Sequence, residues 1–135
     1  MKTQLLTTLG NAKNYTLGVA EAMPEQHYDF KPTAAVWNFG ELLHHIGYGI
    51  GWWKENYIRQ QPADWNPPAA KAGKAAAVSY LKKAFASLEK SMEKVPLSDE
   101  VLSGFYATLD HITHHRGQAT IYLRMNGIIP PEYVY

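Results

Sequence analysis

Apolar residues recur every three or four positions in four stretches of this sequence, the spacing that places side chains on one face of an α-helix. The third stretch shows the pattern best, because its lysines and glutamates lie off the apolar stripe. That stripe consists of Val78, Leu81, Phe85, Leu88, Met92 and Val95. No window alternates apolar and polar residues as a half-buried strand does. The pattern predicts an all-α fold, a four-helix bundle around one core.

Prolines and capping residues set the expected boundaries of the first two helices. The first helix is expected to end at Met23, because a proline follows, and the connection 24–36 reads as a loop. Asn38 and Glu41 match a capping box, in which each residue satisfies the backbone N–H of the other. They open a second helix that reaches about Gln60.

Prolines and a capping pair also set the expected boundaries of the third and fourth helices. Segment 61–68 contains three prolines and breaks the second helix. The third helix is expected to end at Pro96, and a short irregular stretch around Ser98 and Gly104 to follow. The fourth helix then extends to about 126–127, where an Asn-Gly pair is a suitable C-terminal cap.

Length and composition limit the class of protein. A chain of 135 residues fits one domain, here 1–135. The 13 Lys and Arg are scattered among 12 Asp and Glu, whereas nucleic-acid-binding surfaces carry a basic stripe, so no nucleic-acid partner is expected. The absence of cysteine excludes disulfides, thiolate ligands and a cysteine nucleophile. With no signal peptide or membrane span in the pattern, we expect a soluble, cytoplasmic protein without a membrane partner.

Histidines at helical spacing are the clearest functional signal. His111 and His115 stand four residues apart on a face with small and apolar neighbours, close enough to share a metal ion. In the second helix, His45 lies at the margin of the apolar arc, whereas His44 points further toward solvent. His114 lies at the edge of the inward face and is the weakest ligand of its helix. The pattern predicts a metal site of His45, His111 and His115 with open coordination positions, although histidines bonded within a core would look the same.

Three further side chains lie near the predicted ligands. Trp52 has a helical phase close to that of His45 and is expected to wall a pocket over the metal, unless it belongs to the core as most aromatic stripes do. Gln118 follows His115 by about one turn and is expected to hold this imidazole or a bound water. Arg116 has a phase that points away from the site, which favours a salt bridge or an interface role.

The second helix also carries an excess of glycine and one carboxylate. Gly40, Gly47, Gly49 and Gly51 each cost about 1 kcal/mol relative to alanine in a helix interior. Three of them, Gly40, Gly47 and Gly51, lie on the outer side, so they indicate either a dimer contact or a locally irregular helix. Glu41 is the carboxylate nearest in sequence to any predicted ligand, and capping explains it better than a role as general base.

The chain resembles the DinB-like family of helical-bundle metalloproteins, which is unrelated to the DNA polymerase of that name. The resemblance covers nearly the whole length and rests on an ordered set of segments: 37–46 (WNFGELLHHI), 111–118 (HITHHRGQ), 122–124 (YLR), Gly127 and 130–133 (PPEY). It implies a four-helix bundle in which one histidine of the second helix and two of the fourth bind a divalent metal, often zinc or nickel. These positions fall on His45, His111 and His115. The resemblance also implies frequent homodimers.

Relatives of this kind include transferases and isomerases that use a low-molecular-weight thiol. Neutral imidazoles leave the double charge of a bound cation uncompensated, which favours a thiol in its deprotonated form. Our leading interpretation is therefore a metal-dependent transfer of a small thiol to a small-molecule electrophile. A metal-dependent hydrolase ranks lower, because the inward face of the fourth helix offers no carboxylate base. A dimeric bundle that binds a metal or ligand without turnover stays open, as do the catalytic side chains and the identity of the metal.

Overall fold

Four α-helices build the fold in the computed structural model, which describes residues 1–133. The helices are α1 (Lys2–Ala22), α2 (Phe39–Trp53), α3 (Lys74–Lys94) and α4 (Asp99–Met125). A short 3-10 turn (Glu25–His27) lies between α1 and α2, and a π-helical segment (Lys54–Ile58) continues α2. Residues 1–133 contain no strand, which confirms the predicted all-α class. The last two residues of the predicted domain 1–135 lie outside the described range.

The packing of the helices determines which of them can share a site. Helices α1 and α2 each pack against both α3 and α4, whereas α1 and α2 lie diagonally across the bundle. The order around the bundle is therefore α1, α3, α2, α4, and the two histidine-bearing helices are neighbours. Buried side chains from all four helices form one cluster, which includes Leu9, Ile46, Phe85 and Phe105. Within residues 1–133, no helix has the length and apolar character that crossing a bilayer requires.

The N-termini of α2 and α4 are fixed by side-chain caps. The Glu41 N–H donates to Asn38 Oδ1 at 2.8 Å, and the Asn38 N–H donates to Glu41 Oε1 at 3.0 Å, so the predicted capping box is confirmed. Ser98 caps α4 by accepting from the Val101 N–H at 3.2 Å. The helix is thus regular from Asp99 onward, and the prediction of an irregular stretch reaching Gly104 was wrong.

Glycines allow close approach between segments of this chain. A Cβ atom at Gly104 would overlap the Cβ of Tyr57, and one at Gly47 would lie 2.6 Å from the ring of Tyr80. A Cβ at Gly40 would touch Tyr28 at 3.4 Å. Gly40 and Gly47 therefore face neighbouring parts of the same chain, whereas a Cβ at Gly51 would meet nothing within 4 Å. The dimer contact predicted from these three glycines stays a prediction.

Arg116 joins α4 to α1 and to the end of the described chain. Its side chain is buried, and its guanidinium lies over the rings of Tyr15 at 4.6 Å and Tyr133 at 5.4 Å. The Tyr15 hydroxyl also donates to the carbonyl of Pro131 at 3.3 Å. No carboxylate among residues 1–133 pairs with Arg116, so cation–π contacts take the place of the predicted salt bridge.

Candidate metal centre

Three imidazoles from two helices converge beside the bundle core. The Nε2 atom of His45 on α2 lies 3.0 Å from Nε2 of His115 and 3.1 Å from Nε2 of His111, both on α4. One nitrogen from each ring lies within 4.8 Å of the others, and all three residues are half-buried. The structure therefore brings together the three histidines that the sequence predicted as ligands.

The spacing of these nitrogens fits a shared cation better than a hydrogen-bonded cluster. Nitrogens bound to one tetrahedral zinc ion at about 2.0–2.1 Å are separated by roughly 3.3 Å. A neutral imidazole nitrogen carries either one hydrogen or one lone pair. His45 Nε2 therefore cannot make well-directed hydrogen bonds to both His111 and His115 at once. A divalent cation that accepts one lone pair from each ring would instead bind all three of these nitrogens at once.

Gln118 sets the protonation of one ring. Its Oε1 atom lies 2.9 Å from Nδ1 of His115, and an amide oxygen can only accept. The Nδ1 atom of His115 must therefore carry the proton, which leaves a lone pair on Nε2, directed toward His45. Gln118 thus lies behind the imidazole, the arrangement that orients metal ligands in known sites.

Gly49 provides the space that the His111 ring occupies. A Cβ atom at this position of α2 would overlap Cε1 of His111 and lie 2.7 Å from its Nδ1. The same Nδ1 is buried without a hydrogen-bond partner among the described residues. Sequence reasoning noted the glycines of α2 but assigned no site role to Gly49, because that role depends on how α2 and α4 are aligned.

Burial keeps the histidines neutral. It lowers the pKa of His45 to about 4, with the neighbouring His115 and His44 adding to the effect. Burial also lowers the pKa of His111 to about 4, helped by His115 and His45. The pKa of His115 is lowered too, again mainly by burial. Near pH 7 the rings are therefore unprotonated, as metal ligands must be.

Two indoles flank His45, but neither belongs to Trp52. The rings of Trp37 and Trp65 lie 4.4 and 5.5 Å from that of His45. Trp52 makes no ring contact with any histidine in the described chain, and it packs on Trp65 at 5.5 Å instead. Trp65 therefore lies between Trp52 and the ring of His45, and the pocket wall predicted at Trp52 is not seen among the ring contacts of the described histidines. Segment 59–73 folds back and inserts Trp65, which the helical phase of Trp52 could not reveal.

The other histidines of both helices stay outside the cluster. His44 stacks on Tyr80 of α3 at 4.5 Å with an angle of 24° between the rings. His114 is exposed, and its ring meets that of His115 in an edge-on arrangement at 4.8 Å. The predicted ranking of His45 over His44 and of His115 over His114 thus agrees with the geometry.

An open cavity of about 720 Å³ adjoins the cluster at His115. Its lining includes Lys31, Trp37, Glu41, Leu42, Gln118 and Tyr122. Glu41 is the carboxylate of this lining, and it is engaged in the capping box of α2. The cavity is large enough for a small molecule, since ligand sites commonly measure about 300–1,000 Å³.

Comparison with known proteins identifies the family to which this sequence belongs. Residues 8–119 match the model of the DinB superfamily. A DinB-like protein from Bacillus cereus ATCC 10987 superposes with a TM-score of 0.80 at 14% identity, covering 97% of this chain and 95% of that one. A DinB-like protein from Bacillus subtilis superposes with a TM-score of 0.68 at 20% identity, covering 98% and 96%. At these identities the two structures show the fold alone. No curated protein matches the sequence.

Proposed function

This chain belongs to the DinB superfamily, and on that premise we propose that it is a metal-dependent enzyme. In this proposal, His45, His111 and His115 hold one divalent cation, zinc or nickel, and the site activates a low-molecular-weight thiol for transfer to a small electrophile. The observation that carries the proposal is the convergence of three neutral imidazole nitrogens within 4.8 Å of one another.

The three imidazole ligands suit a metal-dependent thiol transfer. Three imidazoles without a carboxylate or thiolate are compatible with zinc and nickel and leave at least one coordination position for another molecule. When bound, the cation would supply Lewis acidity that lowers the pKa of a thiol or water molecule meeting it. The chain has no cysteine, so the nucleophilic sulfur would come from a second small molecule.

The protein's own residues have supporting tasks in this scheme. Gln118 holds the proton on Nδ1 of His115 and keeps Nε2 free. Gly49 leaves room for the His111 ring. The cavity beside His115 receives the small molecule. Hydrolysis has less support, because Glu41, the carboxylate lining that cavity, already serves as a cap.

A turnover assay tests the proposal. Zinc- and nickel-loaded protein is supplied with glutathione, cysteine or coenzyme A together with chlorodinitrobenzene, and thioether formation is followed by absorbance. We expect metal-dependent turnover with at least one thiol, lost in His111→Ala and kept in His114→Ala. Hydrolysis of esters or lactones at equal rates with and without thiol would contradict thiol transfer and select the hydrolase. A metal-loaded protein inert in both assays would select a binding role without turnover.

The proposal also covers the oligomeric state, the domain organisation and the cellular location of the protein. We propose a homodimer, as the resemblance to this family implies, and light scattering tests it. We also propose one domain over 1–135, which the single buried cluster shared by all four helices supports. A cytoplasmic location is proposed because the chain carries no cysteine for the disulfides common in small exported domains.

A further inference from the structure

Two tryptophans beside the histidine cluster keep much of their surface exposed. Trp37 is 46% and Trp65 is 44% exposed, although tryptophan is on average highly buried in folded proteins. The centroids of the two rings lie 4.4 and 5.5 Å from that of His45. The two residues differ, however, in how far contacts within the chain explain their exposed positions.

Contacts within the chain account for Trp65. Its ring packs edge-on against Tyr48 at 4.8 Å and Trp52 at 5.5 Å. The backbone around it is fixed as well, since the Asn66 N–H donates to the Tyr48 hydroxyl at 2.8 Å and Trp52 Nε1 donates to the Ala63 carbonyl at 3.0 Å. Trp65 therefore fastens segment 59–73 to α2, and it does not line the cavity beside His115.

No comparable packing accounts for Trp37. Its carbonyl accepts a hydrogen bond from the Tyr122 hydroxyl at 2.8 Å, which fixes the backbone. Its ring contacts only the rings of His45 at 4.4 Å and His115 at 6.3 Å among the described aromatic side chains. Trp37 also lines the 720 Å³ cavity that opens at His115. Because 46% of this residue stays exposed, its indole is accessible to a molecule that enters the cavity.

We propose that the small molecule meeting the metal carries an aromatic ring, and that this ring binds against the indole of Trp37. The inference rests on the proposed metal site and names the substrate class for it. Indoles and aromatic rings attract each other in offset or edge-on geometries beyond the effect of buried area. The lining carries one cationic and one anionic side chain, Lys31 and Glu41, so its charge gives no preference for a cationic group over a neutral aromatic ring. Ala34, Ala35 and Val36 add apolar surface beside Trp37 in the same lining.

The test compares two metal-binding probes of nearly equal size on the full chain. Benzohydroxamate carries a flat aromatic ring, and cyclohexanecarbohydroxamate carries a saturated one. Metal content is first measured on each protein, and affinities for the zinc-loaded forms are then determined by calorimetry. We expect wild-type protein to prefer benzohydroxamate by roughly three- to tenfold, the range that aromatic pairing contributes.

Variants of Trp37 and Trp65 test whether the preference for benzohydroxamate comes from Trp37. Trp37→Leu should reduce it to less than twofold, and Trp37→Phe, which keeps a ring, should retain most of it. Trp65→Leu is the matched control, because Trp65 has similar exposure and also contacts His45 but lies outside the cavity. Equal affinities in the wild type, or a preference that survives Trp37→Leu, would overturn the inference alone. A wild-type protein that holds no zinc would overturn the proposed function and this inference with it.

Discussion

At the scale of single residues, the histidine cluster depends on residues other than the three predicted ligands. Gly49 has no side chain where the His111 ring lies, and Gln118 fixes the proton of His115. The three histidines could be predicted from helical phase, since each phase depends on one helix alone. Gly49, Trp37 and Trp65 were missed as site residues, because their positions depend on how separate segments meet.

The space at Gly49 leads to a direct prediction. In Gly49→Ala the new methyl group would overlap the His111 ring and displace it from the other two imidazoles. We expect zinc affinity to fall by at least about tenfold, comparable to the loss of an orienting partner. Competition with a chromogenic chelator measures the change.

Gly51 in the same helix provides the control. A Cβ at this position meets nothing within 4 Å. Gly51→Ala should leave zinc affinity unchanged and raise the free energy of unfolding by up to about 1 kcal/mol, because alanine is the better helix former. Equal zinc affinities for the two alanine variants would show that His111 does not need the space above Gly49.

At the scale of helices, the features that depend on local sequence signals could be predicted. The features that depend on tertiary contacts could not. The capping box at Asn38 and the stop before Pro24 are local, and both are found. Gly104 was taken as a sign of irregular backbone, yet α4 runs through it, and the glycine instead leaves space for Tyr57. The π-helical segment Lys54–Ile58, which carries Tyr57, has no local signature that we could have used.

The contact between α4 and the π-helical segment can be tested. In Gly104→Ala the added methyl group would overlap Tyr57, and the crowding should lower the free energy of unfolding by about 1–3 kcal/mol. Gly117→Ala in the same helix adds its methyl group in open space and should stabilise by up to about 1 kcal/mol. Urea unfolding measures both. A Gly104→Ala protein as stable as Gly117→Ala would mean that the two segments do not pack as described.

At the scale of the whole molecule, the order of helices around the bundle makes α2 and α4 neighbours and so creates the site. Four helices around one core could be predicted from periodicity, but their order could not, because each apolar stripe fits several neighbours. The arrangement also buries the histidines enough to lower the pKa of both His45 and His111 to about 4.

These lowered pKa values predict how the stability of the metal-free protein depends on pH. In the unfolded chain these histidines bind protons below their ordinary pKa of 6.5, whereas in the folded chain they do so only near pH 4. The unfolded state therefore binds more protons in that window, and the free energy of unfolding should fall as the pH drops from about 6.5 toward 4. Urea unfolding in the presence of a chelator measures it. His111→Gln should flatten the dependence, and a wild-type stability that is constant across this window would contradict the burial of neutral rings.

The most direct test of the metal site is the metal content of purified, zinc- or nickel-saturated protein, measured by elemental analysis alongside single alanine variants of five histidines. The site described above predicts about one ion per chain in the wild type, with the ion lost in His45→Ala, His111→Ala and His115→Ala. His44→Ala and His114→Ala should keep it, because these neighbouring imidazoles lie outside the cluster. A wild-type protein without bound metal, or an ion that survives removal of His111, would contradict the three-imidazole site.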